Sequence, residues 1–154
     1  MYWRIGAGYR RRPASRNKAD FRRIVRRGPP PGLLAFDGDI AVGWCQLTPR
    51  ADLAIVDRTW RLRRIDEVPV WSISCFYVRK GYRRGGVSAA LINGAIRAAK
   101  RARAPAIEAY PLDAALTPSA SSTGFASTFE RLGFKTLVRH VPTRPIMRLD
   151  LEDV

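Results

Sequence analysis

Two cysteines and one histidine are all that this chain of 154 residues offers to a soft metal or a redox centre. Cys45 and Cys75 stand far apart without a CxxC spacing, and His140 has no second histidine to pair with. A metal site and a disulfide framework are therefore not expected, and a reducing cytoplasm is the default compartment. Long apolar runs are missing too. None approaches the ~20 residues that span a bilayer. The opening "MYWRIGAGYRRRPASRNKAD" lacks the apolar core of a secretory signal. The expectation is a cytoplasmic protein with no membrane partner. Repeats and long low-complexity stretches are also absent.

Acidic residues are scarce, 13 against 28 lysines and arginines, which leaves a net charge of +15. Such an excess suits an anionic cofactor or a nucleic acid. It suits an arginine-biased genome equally well, because the arginines run from Arg4 to Arg148 instead of gathering on one segment. With 46% hydrophobic and 27% charged residues the composition is that of a globular chain. Its length suits one domain, residues 1–154, with a core that needs no covalent staples.

The pattern alternates helix and strand. "KADFRRIVRR" predicts a helix, which "RRGPPPG" must end because proline removes a donor and blocks the preceding turn. "GLLAFDGDIAVGWCQL" predicts a hairpin turning at Asp37-Gly38-Asp39. "TPRADLAIVDRTWRLRRIDEVP" has mixed charge and no clear period; a connector with a short helix or strand extension is expected. "VPVWSISCFYV", Val68 to Val78, is apolar on both faces and belongs in the middle of a sheet. After a glycine-rich loop, "VSAALINGAIRAAKRARA" places Val87, Leu91, Ala95, Ala98 and Ala102 along one helical face. Lys100, Arg101 and Arg103 fall at its C-terminus, where the helix dipole favours cations. "APAIEAYPL" predicts a strand and "ALTPSASST" a polar loop. "GFASTFERLGF" predicts a short helix stopped at Gly133, and "KTLVRHV" and "PIMRLDL" predict two closing strands. The fold class is α/β in the broad α+β sense: a mixed sheet flanked by helices.

A buried strand that ends in "VRKGYRRGGVSAALI" is a general-purpose anion site. Glycine lets backbone approach a ligand, and the first helical turn aims free N–H groups outward. The loop is not a P-loop, which needs Lys-Ser/Thr after the second spaced glycine. Nor do Gly81, Gly85 and Gly86 have the GxGxxG spacing. Arg83-Arg84-Gly85-Gly86-Val87-Ser88 instead resembles the R/Q-x-x-G-x-G/A loop of the GNAT N-acetyltransferases, which holds the pyrophosphate of acetyl-CoA. "IEAYPLD" resembles that family's next strand, "ASTFERLGF" its F/Y-E-x-x-G-F signature and "RPIMRLDL" its last strand. Four elements match in order, between Val70 and Leu151. Ser88 stands where the family has Gly or Ala, and Phe129 where many members have a tyrosine general acid. The family's first strand has no clear counterpart before Lys18, so the resemblance implies a degenerate first strand or a shortened N-terminus.

The resemblance implies a mixed, mostly antiparallel sheet splayed between the Val70–Val78 and Pro105–Tyr110 strands. Acetyl-CoA would be the cosubstrate, with an amine as acceptor and no metal. The main chain of Phe76, Tyr77 and Val78 would bind the pantetheine arm. Arg84, Gly85, Gly86, Val87, Ser88 and Ala89 would turn N–H groups to the pyrophosphate, Arg83 would brace the loop, and Lys80 or Arg84 would meet the 3′-phosphate. By the same resemblance Glu108 sits where family members often carry a glutamate close to the thioester and is the candidate general base. Burial on a strand suits that role, because it disfavours a carboxylate's charged form; an ion pair with one of the arginines is its alternative role. Tyr110, Ser122 and Ser127 are the nearby hydroxyls, with Tyr110 the candidate acid. The acceptor would enter from the opposite side, past the early helix and the Leu112–Ser122 loop. Cys75, inside the core strand, is expected to be a structural thiol. An exposed last strand would let two copies pair as a homodimer. Two other readings stand beside this one. A basic nucleic-acid-binding protein is disfavoured by the arginine distribution. An acyl-CoA sensor without catalysis is kept open by Phe129.

Overall fold

In a computed structural model, which describes residues 1–115 and 121–151, the chain forms one six-stranded sheet between two layers of helix. Residues before the first strand are helical: α1 (Tyr2–Ile5), a 3-10 turn (Gly6–Arg11) and α2 (Ala14–Arg27). No strand precedes Gly32. Helix α2 starts earlier than its periodicity suggests and stops at Gly28, whose φ of 66° closes the helix ahead of the prolines. β1 (Gly32–Asp37) and β2 (Ile40–Pro49) form the expected hairpin, with Asp37 opposite Ile40 and Gly38 at φ 54° in the turn.

The connector holds a 3-10 turn (Arg50–Asp52), helix α3 (Ala54–Arg58) and a second 3-10 turn (Trp60–Leu62). Then come β3 (Trp71–Val78), α4 (Val87–Arg101), β4 (Ala106–Ala109), α5 (Ala126–Arg131), β5 (Lys135–Val141) and β6 (Arg144–Asp150). The strand order is β1-β2-β3-β4-β6-β5, antiparallel except for β3 beside β4. The last strand is therefore interior, and β1 and β5 form the edges. This corrects the expectation of an exposed last strand, since β6 already has neighbours on both sides.

Helices α4 and α5 cover one face. The buried stripe of α4 is Leu91, Ile92, Ala95 and Ala99, packed on Cys45, Ile73, Phe76, Ile107 and Met147. Ala98 is only half-buried and Ala102 exposed, so the apolar face is rotated from the one expected. Gly43 on β2 lets the helix start close to the sheet, because a Cβ there would lie 2.6 Å from Val87 Cγ1. Leu53, Val56, Leu62, Tyr110 and Ile146 form a smaller core on the other face. Helix α2 joins that face through Phe21, whose ring meets Trp44 edge-on at 5.7 Å.

Between Arg10 and Arg27 nine residues are basic and only Asp20 is acidic. The arginines are thus more concentrated than a reading from end to end suggests. On α2 Arg16, Lys18, Arg22, Arg23, Arg26 and Arg27 are all exposed.

Candidate active site

A bulge in β3 opens the site. Gln46 of β2 pairs with Cys75 and Leu47 with Ile73, which leaves Ser74 as the extra residue. The bulge resets the alternation of side chains, so Ile73 and Phe76 both reach the α4 core, while Cys75 and Tyr77 line a cavity on the other face. The parallel ladder between β3 and β4 runs from Trp71↔Ile107 to Ile73↔Ala109 and stops there. The two strands part, and a cleft of about 580 Å³ follows.

Phe76, Tyr77 and Val78 line this cleft on one side, and Ser121, Ser122, Gly124 and Phe125 on the other. Phe76 N–H donates to the Ser122 carbonyl oxygen at 2.6 Å, which holds the two walls together at their narrow end. Alternation along the strand turns the N–H of Val78 toward the same cleft and that of Tyr77 toward β2. Phe129 closes the floor, fully buried edge-on against Phe76 (6.1 Å) and Phe134 (5.0 Å). The position is built for aromatic packing and carries no hydroxyl.

The glycine loop forms the wide end. Arg83 Nε donates to the Val78 carbonyl at 3.3 Å across the loop's base. Gly86, at φ 80° and ψ 2°, caps α4 in the left-handed conformation, with no side chain bonded to the first-turn amides. Those of Val87, Ser88 and Ala89 are left for a ligand, at the positive end of a helix of 15 residues. Ser88 and Arg83 line the cleft, whereas Arg84, Gly85 and Gly86 are exposed and are not among its lining residues. Lys80 is also exposed. The ten residues named from sequence for the cofactor thus form one strand end, one loop and one helix start. Ile92 and Thr128 line the cleft as well, and sequence reasoning missed them. Ile92 lies one turn beyond Ser88 on α4, and Thr128 lies between Ser127 and Phe129 on α5.

Glu108 is 2% exposed and tied down at both oxygens. Arg50 Nη1 donates to Oε2 at 2.8 Å and Arg148 Nη2 to Oε1 at 2.7 Å. The Tyr110 hydroxyl donates to Glu108 Oε2 at 3.2 Å, lies 2.8 Å from Ser72 Oγ, and accepts from Arg50 at 3.0 Å. Burial first, then the Glu108 charge, push the Tyr110 phenol well above its ordinary value. Arg50 also donates to Asp57 and to the Leu62 carbonyl, and Arg148 to both oxygens of Asp66. The connector is thereby fastened to the underside of the sheet. Arg50 carried no signal in sequence, as one arginine in an arginine-rich chain.

Cys75 is half-buried against the second cavity, not in the core as its apolar run suggested, because the bulge turns it out. Burial raises its thiol, so it is not poised as a nucleophile. Ser127 is exposed on α5 and does not line the cleft. The acceptor side expected from sequence includes residues 116–120, which lie outside the described residues. Among the described residues no group of three or more His, Cys, Asp or Glu side chains is placed to hold a metal ion, and no helix is long and apolar enough to cross a membrane.

Solved structures with the same fold are acetyltransferases. The yncA protein of Salmonella typhimurium, solved with acetyl-CoA, superimposes with a TM-score of 0.59 at 16% identity over 92% of this chain and 76% of its own. A ribosomal-protein-alanine N-acetyltransferase from Brucella melitensis gives 0.55 at 17% identity, over 86% and 75%. A GCN5-related N-acetyltransferase from Kribbella flavida gives 0.52 at 22%, over 77% and 66%. No curated protein sequence matches the chain. The model of the Acetyltransferase (GNAT) family matches residues 2–134. That match covers most of the chain, and the chain belongs to the GNAT acetyltransferases.

Proposed function

We propose that the protein is an acetyl-CoA-dependent N-acetyltransferase that moves the acetyl group directly to an amine. The observation that carries this reading is the single cleft joining the Phe76–Val78 strand end to the uncapped start of α4. A strand edge suits an extended pantetheine arm, and an uncapped helix start suits a pyrophosphate. The amides of Arg84 to Ala89 would meet the pyrophosphate with Arg83 bracing the loop, and the exposed Lys80 and Arg84 are the candidates for the 3′-phosphate. The thioester supplies an activated carbonyl whose thiolate leaves readily.

Of the two roles open to Glu108, the ion pair is the better supported. Both oxygens already accept from buried guanidiniums, so neither is free to face a substrate. We assign Glu108 and Tyr110 to positioning: they lock β4 and the connector beneath the cleft. Proton traffic then falls to water, and Phe129 offers no acid. The test is release of CoA thiol from acetyl-CoA in the presence of candidate amines, with acetylated product identified by mass spectrometry. Binding of acetyl-CoA without turnover on any amine would favour the sensor reading.

The basic face of α2 supports a second reading, docking of a nucleic acid. It predicts binding that falls steeply with salt and is abolished by reversing Arg22, Arg23 and Arg26 to Glu. It does not account for the cleft, whose walls lie on other elements.

A further inference from the structure

A second cavity, of about 400 Å³, opens on the face of the sheet opposite α4. Tyr77 lines both it and the cofactor cleft, so the two meet across one residue of β3. On the acetyltransferase reading, this is where an acceptor would reach a thioester held along the strand end.

The walls indicate what fits. Trp3, Phe21, Trp44 and Tyr77 come from four separate elements and present four aromatic rings. Phe21 and Trp44 hold each other edge-on at 5.7 Å, so their faces are set before a ligand arrives. Such surfaces favour a flat, apolar body. No carboxylate stands among the lining residues, and Glu108 has both oxygens engaged by arginines. The chain as a whole carries +15. A cationic amine would therefore be repelled on approach and find no carboxylate in the wall, either to pair with its charge or to take its proton. Gln46, also in the wall, is 6% exposed, yet its amide nitrogen has no hydrogen-bond partner among the described residues. A buried amide left unpaired is unfavourable, and a polar substituent on a bound ring would satisfy it.

We infer that this cavity is the acceptor subsite and that the acceptor is a small aromatic amine, already neutral because its nitrogen lone pair is delocalised into the ring. The inference rests on the acetyltransferase reading. The amine nitrogen attacks the thioester carbonyl carbon, a C–N bond forms and the C–S bond breaks. The nitrogen's surplus proton passes through water to the departing thiolate, giving an aryl acetamide and CoA thiol. An amine without an ammonium proton needs no base to unload it first, which suits a wall without carboxylates.

The test compares para-anisidine, spermidine and a lysine-containing peptide by thiol release, with acetyl-CoA affinity measured separately by calorimetry. Para-anisidine is expected to exceed the other two by at least roughly tenfold in kcat/KM, a difference of about 1.4 kcal/mol. It is also expected to quench the tryptophan fluorescence saturably. Phe21→Leu and Gln46→Leu should raise KM for para-anisidine and leave acetyl-CoA affinity unchanged. If acetyl-CoA binds but spermidine or the peptide is preferred, the acceptor inference is overturned and the acetyltransferase reading stands. The acceptor inference is equally overturned if acetyl-CoA binds and para-anisidine neither quenches nor reacts. Failure of acetyl-CoA to bind overturns both.

Discussion

Arg50 Nη1 donates to Glu108 Oε2 at 2.8 Å, with 5% and 2% of the two side chains exposed. That contact joins the connector after β2 to the strand beside the cleft. Glu108→Gln keeps the shape but leaves Arg50 and Arg148 facing an uncharged amide. Breaking a buried pair in this way costs about 3–5 kcal/mol. Urea unfolding should show that loss, with acetyl-CoA affinity nearly intact where the variant remains folded. A variant of unchanged stability that cannot turn over would assign Glu108 to proton transfer instead.

Ser88 sits in the first turn of α4 and lines the cleft. Ser88→Asp puts a negative charge where a helix start favours one, so the free protein should be as stable as wild type or slightly more so. The same charge opposes a pyrophosphate. Acetyl-CoA affinity should fall by roughly tenfold or more, about 1.4 kcal/mol. Equal affinity in calorimetry would place the phosphates elsewhere.

Arg84 has a φ of 62°, a left-handed conformation that costs a residue with a Cβ about 1–2 kcal/mol. Arg84→Gly should therefore raise the urea midpoint while lowering acetyl-CoA affinity through the lost charge. If Arg84 is a plain solvated loop residue, stability rises and affinity does not move.

Alkali should destabilise the fold before arginine or lysine chemistry matters. Burial pushes the Cys45 thiol up from 9.0 to about 12, and the Tyr110 phenol is also raised. In both, the fold favours the protonated group. Their contribution is complete below the unfolded value, near pH 9 for the thiol, and is lost as pH rises toward the folded one. Each group contributes a slope of at most about 1.4 kcal/mol per pH unit. Urea midpoints should decline above pH 9, and Cys45→Ala should make the first part of that decline shallower. A midpoint flat to pH 11 would contradict the account.

The strand, loop and α4 were legible because each has a local cause: an apolar run, three glycines and a helical stripe. The Ser74 bulge was not. In "WSISCFYV" every residue from Trp71 to Phe76 is buried or half-buried, so the change of phase leaves no mark in the polar pattern, and Cys75 reads there as a core residue. The place of β6 between β4 and β5 was equally invisible, because strand order depends on pairings that no single segment encodes. Glu108 was legible as a partner for some arginine, but Arg50 and Arg148 were hidden by number, since an arginine that organises a connector looks like one that is merely solvated. The aromatic cavity draws its rings from four separate elements, so no spacing in the sequence announces it.

The measurement that bears most directly on the central claim is calorimetric titration of the protein with acetyl-CoA, beside CoA lacking the 3′-phosphate, at low and at moderate salt. The account predicts saturable one-to-one binding that survives moderate salt and weakens when the 3′-phosphate is removed. Binding that is absent, or that vanishes as salt is raised, would contradict it.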